Sequence, residues 1–268
     1  MVQSSDIRIA ISTNSLGKSA AGHGIHRKME AARAHGFDGV EVAWECLEAH
    51  ATSGAFSGEP SHAERLRAAA RDVVKKADSL SLEIIAVNPF GFYDSLADPE
   101  DIEARLKEAE LWCQVCNILR ASIFQQMRDI LALVNLPNVR FCMDTFHIAA
   151  KEAGDPFNAS SPVRPDASQR LKQSLEELKR TVKAGDIGYF QLSDATVADP
   201  EQKGYPMRDL KQPPFMTQSR NCRIFPCEPQ HGGTLPALDV AKAIFDIGYR
   251  GWVSMEVFHL ELWKPSPS

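Results

Sequence analysis

Short apolar runs alternate with longer amphipathic segments along most of the chain. The apolar runs predict buried strands at 7–13, 39–44, 82–88, 139–143, 187–192 and 252–257. The amphipathic segments predict helices at 25–35, 62–80, 167–184 and 238–247, and a further helix that begins at 98–100. Strands separated by helices are typical of parallel βαβ units, which build either an open doubly wound sheet or a closed (β/α)8 barrel.

The loops between these elements favour the barrel. No G-x-G-x-x-G motif follows a predicted strand, so the dinucleotide-binding version of the open sheet lacks its main sequence signal. The chain has 268 residues, and barrels routinely use about 250 residues in one piece. Neither an internal repeat nor an interdomain linker interrupts the pattern, and 194–234 is one long polar loop. We therefore expect a single α/β TIM-barrel domain over 1–268.

Composition and charge exclude several classes of protein. The net charge of −5 and the isoelectric point near 5.9 argue against electrostatic binding of nucleic acid, because such binding needs a basic protein surface. No apolar run approaches the roughly 20 residues that cross a bilayer, and no signal-peptide pattern opens the chain. We expect a cytoplasmic protein with reduced thiols that binds neither membranes nor nucleic acid. The C-x-x-C pair of Cys113 and Cys116 lies in a helical stretch, so we interpret it as structural.

Three of the later predicted strands end in side chains that can bind a metal ion. Asp144, Gln191 and Glu256 stand at the carboxyl ends of these strands, where a barrel places its active site. Each is followed three residues later by another polar side chain, respectively His147, Asp194 and His259. A lone strand-end carboxylate is more often a solvated cap, but three oxygen donors on successive strands predict one site. Carboxylate and amide oxygens favour a divalent ion such as Mg, Mn or Co.

Further candidates lie in loops that would face the same rim. Arg220 and Arg223 follow the predicted strand at 187–192, and a guanidinium group can bind a carboxylate through two parallel hydrogen bonds. His23 follows the first predicted strand, and Tyr93 follows the third. We expect these side chains to contact a small-molecule substrate that carries a carboxylate. The alternatives are ion pairs with surface acids for the arginines and loop positions without a role for the other two.

Several short motifs extend from the N-terminal region almost to the end of the chain. They are SLGKSAAGHG (15–24), GFDGVEV (36–42), NPFGFYDSL (88–96), FCMDTFHIA (141–149), YFQLSDA (189–195), SRNCRIF (219–225) and GYRGWVSMEVF (248–258). In these motifs the chain resembles the xylose isomerase-like TIM-barrel superfamily. Within it, NPFGFYD and SRNCRIF are similar to the fungal 3-dehydroshikimate dehydratases of quinate catabolism. DTFH and WVSMEVF are shared more widely, including with sugar epimerases.

The resemblance implies a reaction and a role for each candidate residue. The implied reaction is that of a carbon–oxygen lyase, which converts 3-dehydroshikimate to protocatechuate and water with the help of a divalent metal ion. The metal ligands that the resemblance implies are Asp144, Gln191 and Glu256. His147 matches the position after DTF that handles protons or contacts the substrate. Arg220 and Arg223 are then candidates for binding the substrate carboxylate.

A fourth metal ligand of the family has no counterpart in this sequence. The family places a Glu on its fifth strand, but no Glu occurs between 111 and 151. Only about twenty residues separate Asn117 from Val139, whereas one βαβ unit takes 30 or more. We therefore expect an incomplete barrel with a shortened fourth and fifth βα region, in which 119–124 is the remnant of the fourth strand. Water or a nearby acid such as Glu45, also a candidate substrate contact, would replace the missing ligand.

Two other functions agree with the same pattern. A sugar isomerase or epimerase uses related metal chemistry, although a neutral sugar needs no pair of arginines. A catalytically inactive barrel, which is either kept for binding or left as a degraded, truncated paralogue, would explain the missing ligand. Titration with metal separates this last function from both enzymes, because a binding barrel need not respond to Mn or Mg.

Overall fold

The computed structural model describes residues 7–89, 98–121, 123–124, 140–156, 158, 160–198 and 213–265. These residues divide between two compact units. The N-terminal unit comprises Ala10–Ile130 and Pro265–Ser268, and the C-terminal unit comprises Met1–Ile9 and Leu131–Lys264. No helix in the described ranges is both long enough and apolar enough to cross a membrane.

The N-terminal unit is built from parallel strands and the helices that connect them. Its elements are β1 (Arg8–Ser12, of which the first two residues belong to the other unit), α1 (Ile25–Ala34), β2 (Gly39–Ala43), α2 (Trp44–Ala51), α3 (His62–Leu80), β3 (Glu83–Asn88), α4 (Pro99–Leu119) and β4 (Ile123–Phe124). The strands lie in the order β4-β3-β2-β1, and each neighbouring pair is parallel. This arrangement is the repeated βαβ pattern that the sequence predicts.

Burial and capping explain why these segments form strands and helices. All five residues of β2 are buried, as expected for a parallel strand that is covered on both faces. The Ser61 hydroxyl accepts a hydrogen bond from the Glu64 backbone N–H at 3.1 Å, which caps the start of α3. Asp98 caps α4 in the same way, by accepting from the Glu100 N–H at 2.8 Å, and Pro99 occupies the first turn.

The C-terminal unit contains a second set of parallel strands and helices. Its elements are β5 (Phe141–Asp144), α5 (Thr145–Ala153), α6 (Ala167–Thr181), β6 (Ile187–Leu192), β7 (Asp194–Ala195), α7 (Pro214–Asn221), β8 (Arg223–Ile224), α8 (Ala237–Asp246) and β9 (Trp252–Met255). The strands β9, β6 and β5 are parallel neighbours in that order, and β7 pairs with β8 in an antiparallel way.

The core of the C-terminal unit lies between β6 and the helices that cover it. Phe190 of β6 is fully buried and meets the rings of Phe245 and Tyr249 edge to face, with centroids 5.4 and 5.9 Å away. The Tyr249 hydroxyl donates to the backbone carbonyls of Gly188 and Trp252, both at 3.1 Å. Burial raises the pKa of this phenol above its usual range, so the hydroxyl stays a donor.

The structure confirms most of the predicted elements and adds several short ones. The predicted strand at 187–192 and the helix at 62–80 have the observed bounds, and the other predicted strands and helices differ at their ends. The prediction of one long loop over 194–234 is wrong, because α7 and the β7–β8 pair lie within it. The two helices that directly follow strands, α2 and α5, were not predicted.

The shortened region is described in part. The fourth strand is shorter than the predicted 119–124: Leu119 is the last residue of α4, and Ile123–Phe124 form β4, which pairs with β3 at Ala86↔Ile123 and Val87↔Phe124. Among the described strands of its unit, β4 has β3 as its only neighbour, and β5 likewise has only β6. The rest of the predicted shortened region, 125–139, falls outside the described residues.

Candidate active site at the strand ends

Three predicted metal ligands come together in the C-terminal unit. Asp144 is the last residue of β5 and pairs with Gln191 of β6, which in turn pairs with Ser254 of β9. Glu256 follows β9 directly, so all three side chains lie at the carboxyl edge of the parallel strands. The Gln191 amide donates from Nε2 to Glu256 Oε1 at 3.0 Å. The structure therefore brings together the three oxygen donors that the sequence predicts.

The guanidinium of Arg223 lies between the two carboxylates of this cluster. Arg223 donates from Nη2 to both oxygens of Asp144, at 2.8 and 2.9 Å, and from Nη1 to Glu256 Oε2 at 2.6 Å. Its Nε donates to the Ser193 hydroxyl at 2.9 Å. The side chain is 1% exposed. A buried guanidinium that is bonded in this way offsets much of the repulsion between the two carboxylates.

Backbone hydrogen bonds and aromatic rings hold Arg223 in this place. It belongs to β8, where it pairs with Ala195 of β7, and its backbone N–H donates to the Phe258 carbonyl at 2.9 Å. The Phe146 and Phe258 rings lie 4.7 and 5.4 Å from the guanidinium carbon, within the range of cation–π attraction. The central cation of the cluster therefore belongs to a segment that the sequence predicts to be a loop.

The donor chemistry of the cluster fits a divalent cation. Asp144 and Glu256 are 9% and 12% exposed, and with Arg223 they carry a combined charge of −1. Buried excess negative charge of this kind favours a positive ion, and carboxylate oxygens are ligands of hard divalent ions. A half-turn of the Gln191 amide would exchange its Nε2 for Oε1 on the side of Glu256. The same oxygens that would bind an ion now accept from Arg223, so the ion and the guanidinium would share them.

His147 stands beside the cluster on the first turn of α5. Its Nε2 lies 3.3 Å from Asp144 Oδ2, and its side chain is 66% exposed. The Asp144 Oδ1 atom caps the same helix by accepting from the Phe146 backbone N–H at 2.8 Å. Asp144 therefore links the strand end, the helix start and an accessible imidazole.

The other predicted substrate contacts belong to both compact units. Arg220 is half-buried on α7, three residues before Arg223. In the N-terminal unit, Glu45 is exposed on the first turn of α2 and pairs with Lys18 Nζ at 3.4 Å. His23, in the same unit, packs against Gly17, where an added Cβ would lie 2.4 Å from the imidazole ring. Tyr93 falls outside the described residues.

Two polar residues next to the cluster were not assigned a role from the sequence. Ser193 is fully buried and accepts from Arg223, and its neighbour Asp194 accepts from the backbone N–H groups of Ala195 and Leu235 at 2.6 and 2.8 Å. Burial raises the pKa of Asp194, although these hydrogen bonds act in the opposite direction. Both residues belong to the YFQLSDA motif, which is the one sequence signal that could have indicated them.

The C-x-x-C pair has the surroundings of a structural element. Cys113 is exposed and Cys116 buried on α4, and both are free thiols. Burial, together with the neighbouring Cys113, raises the pKa of Cys116 to about 12. A thiol that stays protonated is a poor nucleophile. These surroundings agree with the structural interpretation of the motif.

A cleft on the outer face of the C-terminal unit is separate from this cluster. It has a volume of about 670 Å³ and lies between α6 and α8. Its lining includes Leu171, Leu175 and Leu235, but none of the side chains predicted to bind metal or substrate. The strand-end cluster is therefore the better candidate for an active site.

Comparison with known proteins supports the fold and points to a class of enzyme. The family model described as xylose isomerase-like TIM barrel matches residues 122–267, which is more than half of the chain. A 3-dehydroshikimate dehydratase from Neurospora crassa is 29% identical over 318 aligned positions, which cover 97% of this chain and 88% of the relative.

Solved structures agree with the fold. A xylose isomerase-like TIM barrel/4-hydroxyphenylpyruvate dioxygenase fusion protein matches 94% of the chain with a TM-score of 0.62 and 18% identity, and the chain spans 39% of that protein. A xylose isomerase domain protein from Salmonella typhimurium matches 98% of the chain and 93% of its own, with a TM-score of 0.55 and 15% identity. A "probable 3-DHS dehydratase", AsbF from Bacillus anthracis, matches 96% of both chains with a TM-score of 0.54 and 11% identity.

At these identities the solved structures show the fold alone. Together with the family match, they confirm the predicted α/β barrel, and the described strands agree with its incomplete form. The chain belongs to the xylose isomerase-like TIM barrel family.

Proposed function

We propose that this chain is a metal-dependent lyase that converts 3-dehydroshikimate to protocatechuate and water. The observation that carries the proposal is the likeness to the Neurospora dehydratase, which extends over 97% of the chain. The strand-end cluster is the proposed place of the reaction, because it joins buried oxygen donors to an accessible imidazole. A dehydratase of this kind needs both groups, one for a metal ion and one for a proton.

The metal site of the proposal consists of Asp144, Gln191 and Glu256. Their oxygens would hold Mg, Mn or Co, which supplies Lewis-acid polarisation of the substrate ketone when bound. Gln191 Nε2 donates to Glu256 Oε1 at 3.0 Å, so a half-turn of this amide would direct an oxygen of each side chain to one point. Water or another acid, for which Glu45 is the sequence-based candidate, would complete the coordination.

His147 is the proposed base. Its exposed Nε2 would take a proton from the carbon next to the ketone, and the Asp144 carboxylate 3.3 Å away would stabilise the imidazolium that forms. The electron pair of the broken C–H bond forms a carbon–carbon double bond as the β-hydroxyl leaves, and the departing hydroxide becomes water with that proton. Enolisation of the ketone then completes the aromatic ring of protocatechuate.

The substrate carboxylate needs a cation, and the two predicted arginines differ in burial, since the side chain of Arg223 is 1% exposed. Arg220 is half-buried on α7, and we propose it as the main carboxylate contact. The guanidinium of Arg223 is bonded to Asp144 and Glu256, so a substrate would have to compete with these two carboxylates for it. Arg220→Ala should therefore raise KM with a smaller effect on kcat.

The test follows protocatechuate by chromatography after 3-dehydroshikimate is added to purified chain with Mg, Mn or Co. We expect product with metal, none after treatment with a chelator, and recovery when metal returns. Glu256→Gln and His147→Gln should each lower kcat by about 100-fold or more. Glu261→Gln is the matched control, because Glu261 is exposed and pairs only locally with Lys264 among the contacts described.

Two results would contradict the proposal. Full activity in a folded Glu256→Gln protein would refute the metal site. No product from the wild-type chain, shown by circular dichroism to be folded and supplied with each metal, would favour the inactive barrel. The contacts between Arg223 and both carboxylates are the observation that supports this second candidate, since a guanidinium can replace a metal ion as the counter-charge.

A further inference from the structure

Two histidines and an aspartate from three helices meet in the N-terminal unit. His26 lies on α1, His50 on α2 and Asp72 on α3. One donor atom from each residue lies within 4.8 Å of those of the other two, and the three side chains are half-buried. Among the described residues, this is the only such group of His, Cys, Asp or Glu side chains.

Both imidazoles direct the same ring nitrogen to one carboxylate oxygen. His50 Nε2 lies 2.8 Å from Asp72 Oδ2, and His26 Nε2 lies 2.9 Å from the same atom. The contact of His50 has hydrogen-bond geometry, whereas the buried His26 Nε2 is within reach but is not aligned for a hydrogen bond. A cation bound among the three atoms would use the His26 nitrogen, which the present contacts leave poorly satisfied.

The surroundings hold the three side chains in place. The two imidazole rings lie 4.8 Å apart between centroids, and the Phe56 ring meets the edge of His50 at 5.1 Å. The ammonium group of Lys76, on the same helix as Asp72, is ion-paired with Glu30, so its positive charge is partly offset. Three helices therefore present the donors in a fixed arrangement before any ion binds.

We propose that His26, His50 and Asp72 form a binding site for a divalent transition-metal ion, Zn²⁺ in the first instance. Two imidazole nitrogens and one carboxylate oxygen are ordinary zinc ligands, and a water molecule would supply the fourth position. This site differs from the strand-end cluster in its donor atoms. The proposed metal ligands of that cluster are all oxygens, which favour harder ions. Because its ligands come from α1, α2 and α3, bound zinc would stabilise the packing of these helices.

The experiment measures metal binding by the full chain after all metal has been removed with a chelator. Zinc is titrated by calorimetry, and Co²⁺ replaces zinc so that visible absorption reports four-coordinate geometry. We expect one zinc per chain to be lost, or its affinity to fall by at least about 10-fold, in His26→Ala, His50→Ala and Asp72→Asn. His35→Ala is the matched control, because His35 is exposed at the end of α1.

Two further measurements separate this site from the proposed active site. Zinc should raise the thermal midpoint of unfolding in wild type but much less in His50→Ala, because only the folded site binds it. The zinc bound here should persist in Asp144→Asn and Glu256→Gln. Wild-type zinc affinity and cobalt absorption in folded His26→Ala and His50→Ala proteins would overturn the proposal, whatever their dehydratase activity.

Discussion

At the scale of single residues, Arg223 allows the carboxylates of Asp144 and Glu256 to be buried close to one another. Each carboxylate accepts a short charge-assisted hydrogen bond from the guanidinium, which is 1% exposed. Desolvating three charges is costly, and their mutual attraction offsets that cost only while the set is complete. Removal of one member therefore affects stability more than the loss of an exposed ion pair would.

We predict that Arg223→Met lowers the free energy of unfolding in the absence of metal by about 3–5 kcal/mol, because two buried carboxylates then lack their counter-charge. Added Mn²⁺ should restore more stability to this variant than to wild type, since the ion no longer shares the oxygens with a guanidinium. Urea unfolding with and without Mn²⁺ measures both effects. Arg180→Met is the control, because Arg180 forms an exposed pair with Glu177. If Mn²⁺ stabilises the variant and the wild type equally, the ion and the Arg223 guanidinium do not share these oxygens.

Asp194 allows a prediction about pH. Burial raises the pKa of this acid, so the folded state favours its protonated form. Asp194 therefore stabilises the folded protein most at a pH below the pKa of an unfolded aspartate, which is about 4. This stabilisation is lost as the pH rises through the higher pKa that Asp194 has in the folded protein. Asp194→Asn keeps an oxygen acceptor without the charge, so its stability should fall less between pH 4 and 7. Urea unfolding across this range tests the difference, and parallel curves would contradict it.

The acceptor role of Asp194 is tested separately. Asp194→Ala leaves the Leu235 and Ala195 N–H groups without this partner, and we expect it to cost about 1–3 kcal/mol at both ends of the same pH range. An Ala variant as stable as Asn would show that water replaces the carboxylate.

At the scale of elements, α2 and α4 are joined by two stacked indole rings. The Trp44 and Trp112 centroids are 3.8 Å apart with an angle of 12° between the rings, and Trp112 is 2% exposed. Trp112 immediately precedes the C-x-x-C pair, and its packing accounts for an aromatic residue at that position without redox chemistry. The motif therefore begins on the exposed face of α4, at Cys113, and ends on its buried face, at Cys116.

We predict that Trp112→Ala lowers the free energy of unfolding by about 3–5 kcal/mol, because it leaves a large cavity against Trp44. Cys113→Ser, one position along the same helix, should change it by no more than about 0.5 kcal/mol, since Cys113 is exposed. Denaturant unfolding monitored by tryptophan fluorescence and circular dichroism measures both. A large loss of stability or a change in thiol oxidation in Cys113→Ser would favour a functional role for the motif.

Elements were predicted well where their ends carry local signals. The helix α3 has a capping serine and Ala-rich faces, and its bounds were predicted as observed. The helices α2 and α5 were missed because each continues directly from a strand, in GVEVAWECLEAHA and FCMDTFHIAAKEA, without Gly or Pro between them. In such a run the period of the apolar residues changes from two, typical of a strand, to 3.6, typical of a helix, within a few residues. Neither pattern then extends over enough residues to be recognised.

At the scale of the whole molecule, the chain lacks segments that its Neurospora relative has. The alignment with the Neurospora relative spans 318 positions, more than the 268 residues of this chain, so the relative has segments without a counterpart here. The sequence places the shortening before β5, where a family Glu ligand is expected and no Glu occurs between 111 and 151. Fewer metal ligands should mean weaker metal binding.

We predict that replacing 125–139 with a longer βα segment that carries a Glu at the end of its strand tightens binding of Mn²⁺ by at least about 10-fold and raises kcat/KM. The added strand would extend the parallel sheet and supply the fourth ligand. The control carries the same segment with its strand Glu replaced by Gln. If both variants bind Mn²⁺ equally well, the missing Glu does not limit the site.

The repeated strand–helix order and the oxygen donors Asp144, Gln191 and Glu256 could be predicted from the amino-acid sequence. Both follow from local patterns, since parallel strands end at one edge and residues at those ends are necessarily neighbours. The position of Arg223 between the two carboxylates could not be predicted in this way, because it depends on a short antiparallel strand pair inside a segment that was predicted to be a loop. The tertiary structure also brings His26 and Asp72 together, on helices whose faces meet through long-range packing that no spacing along the chain records.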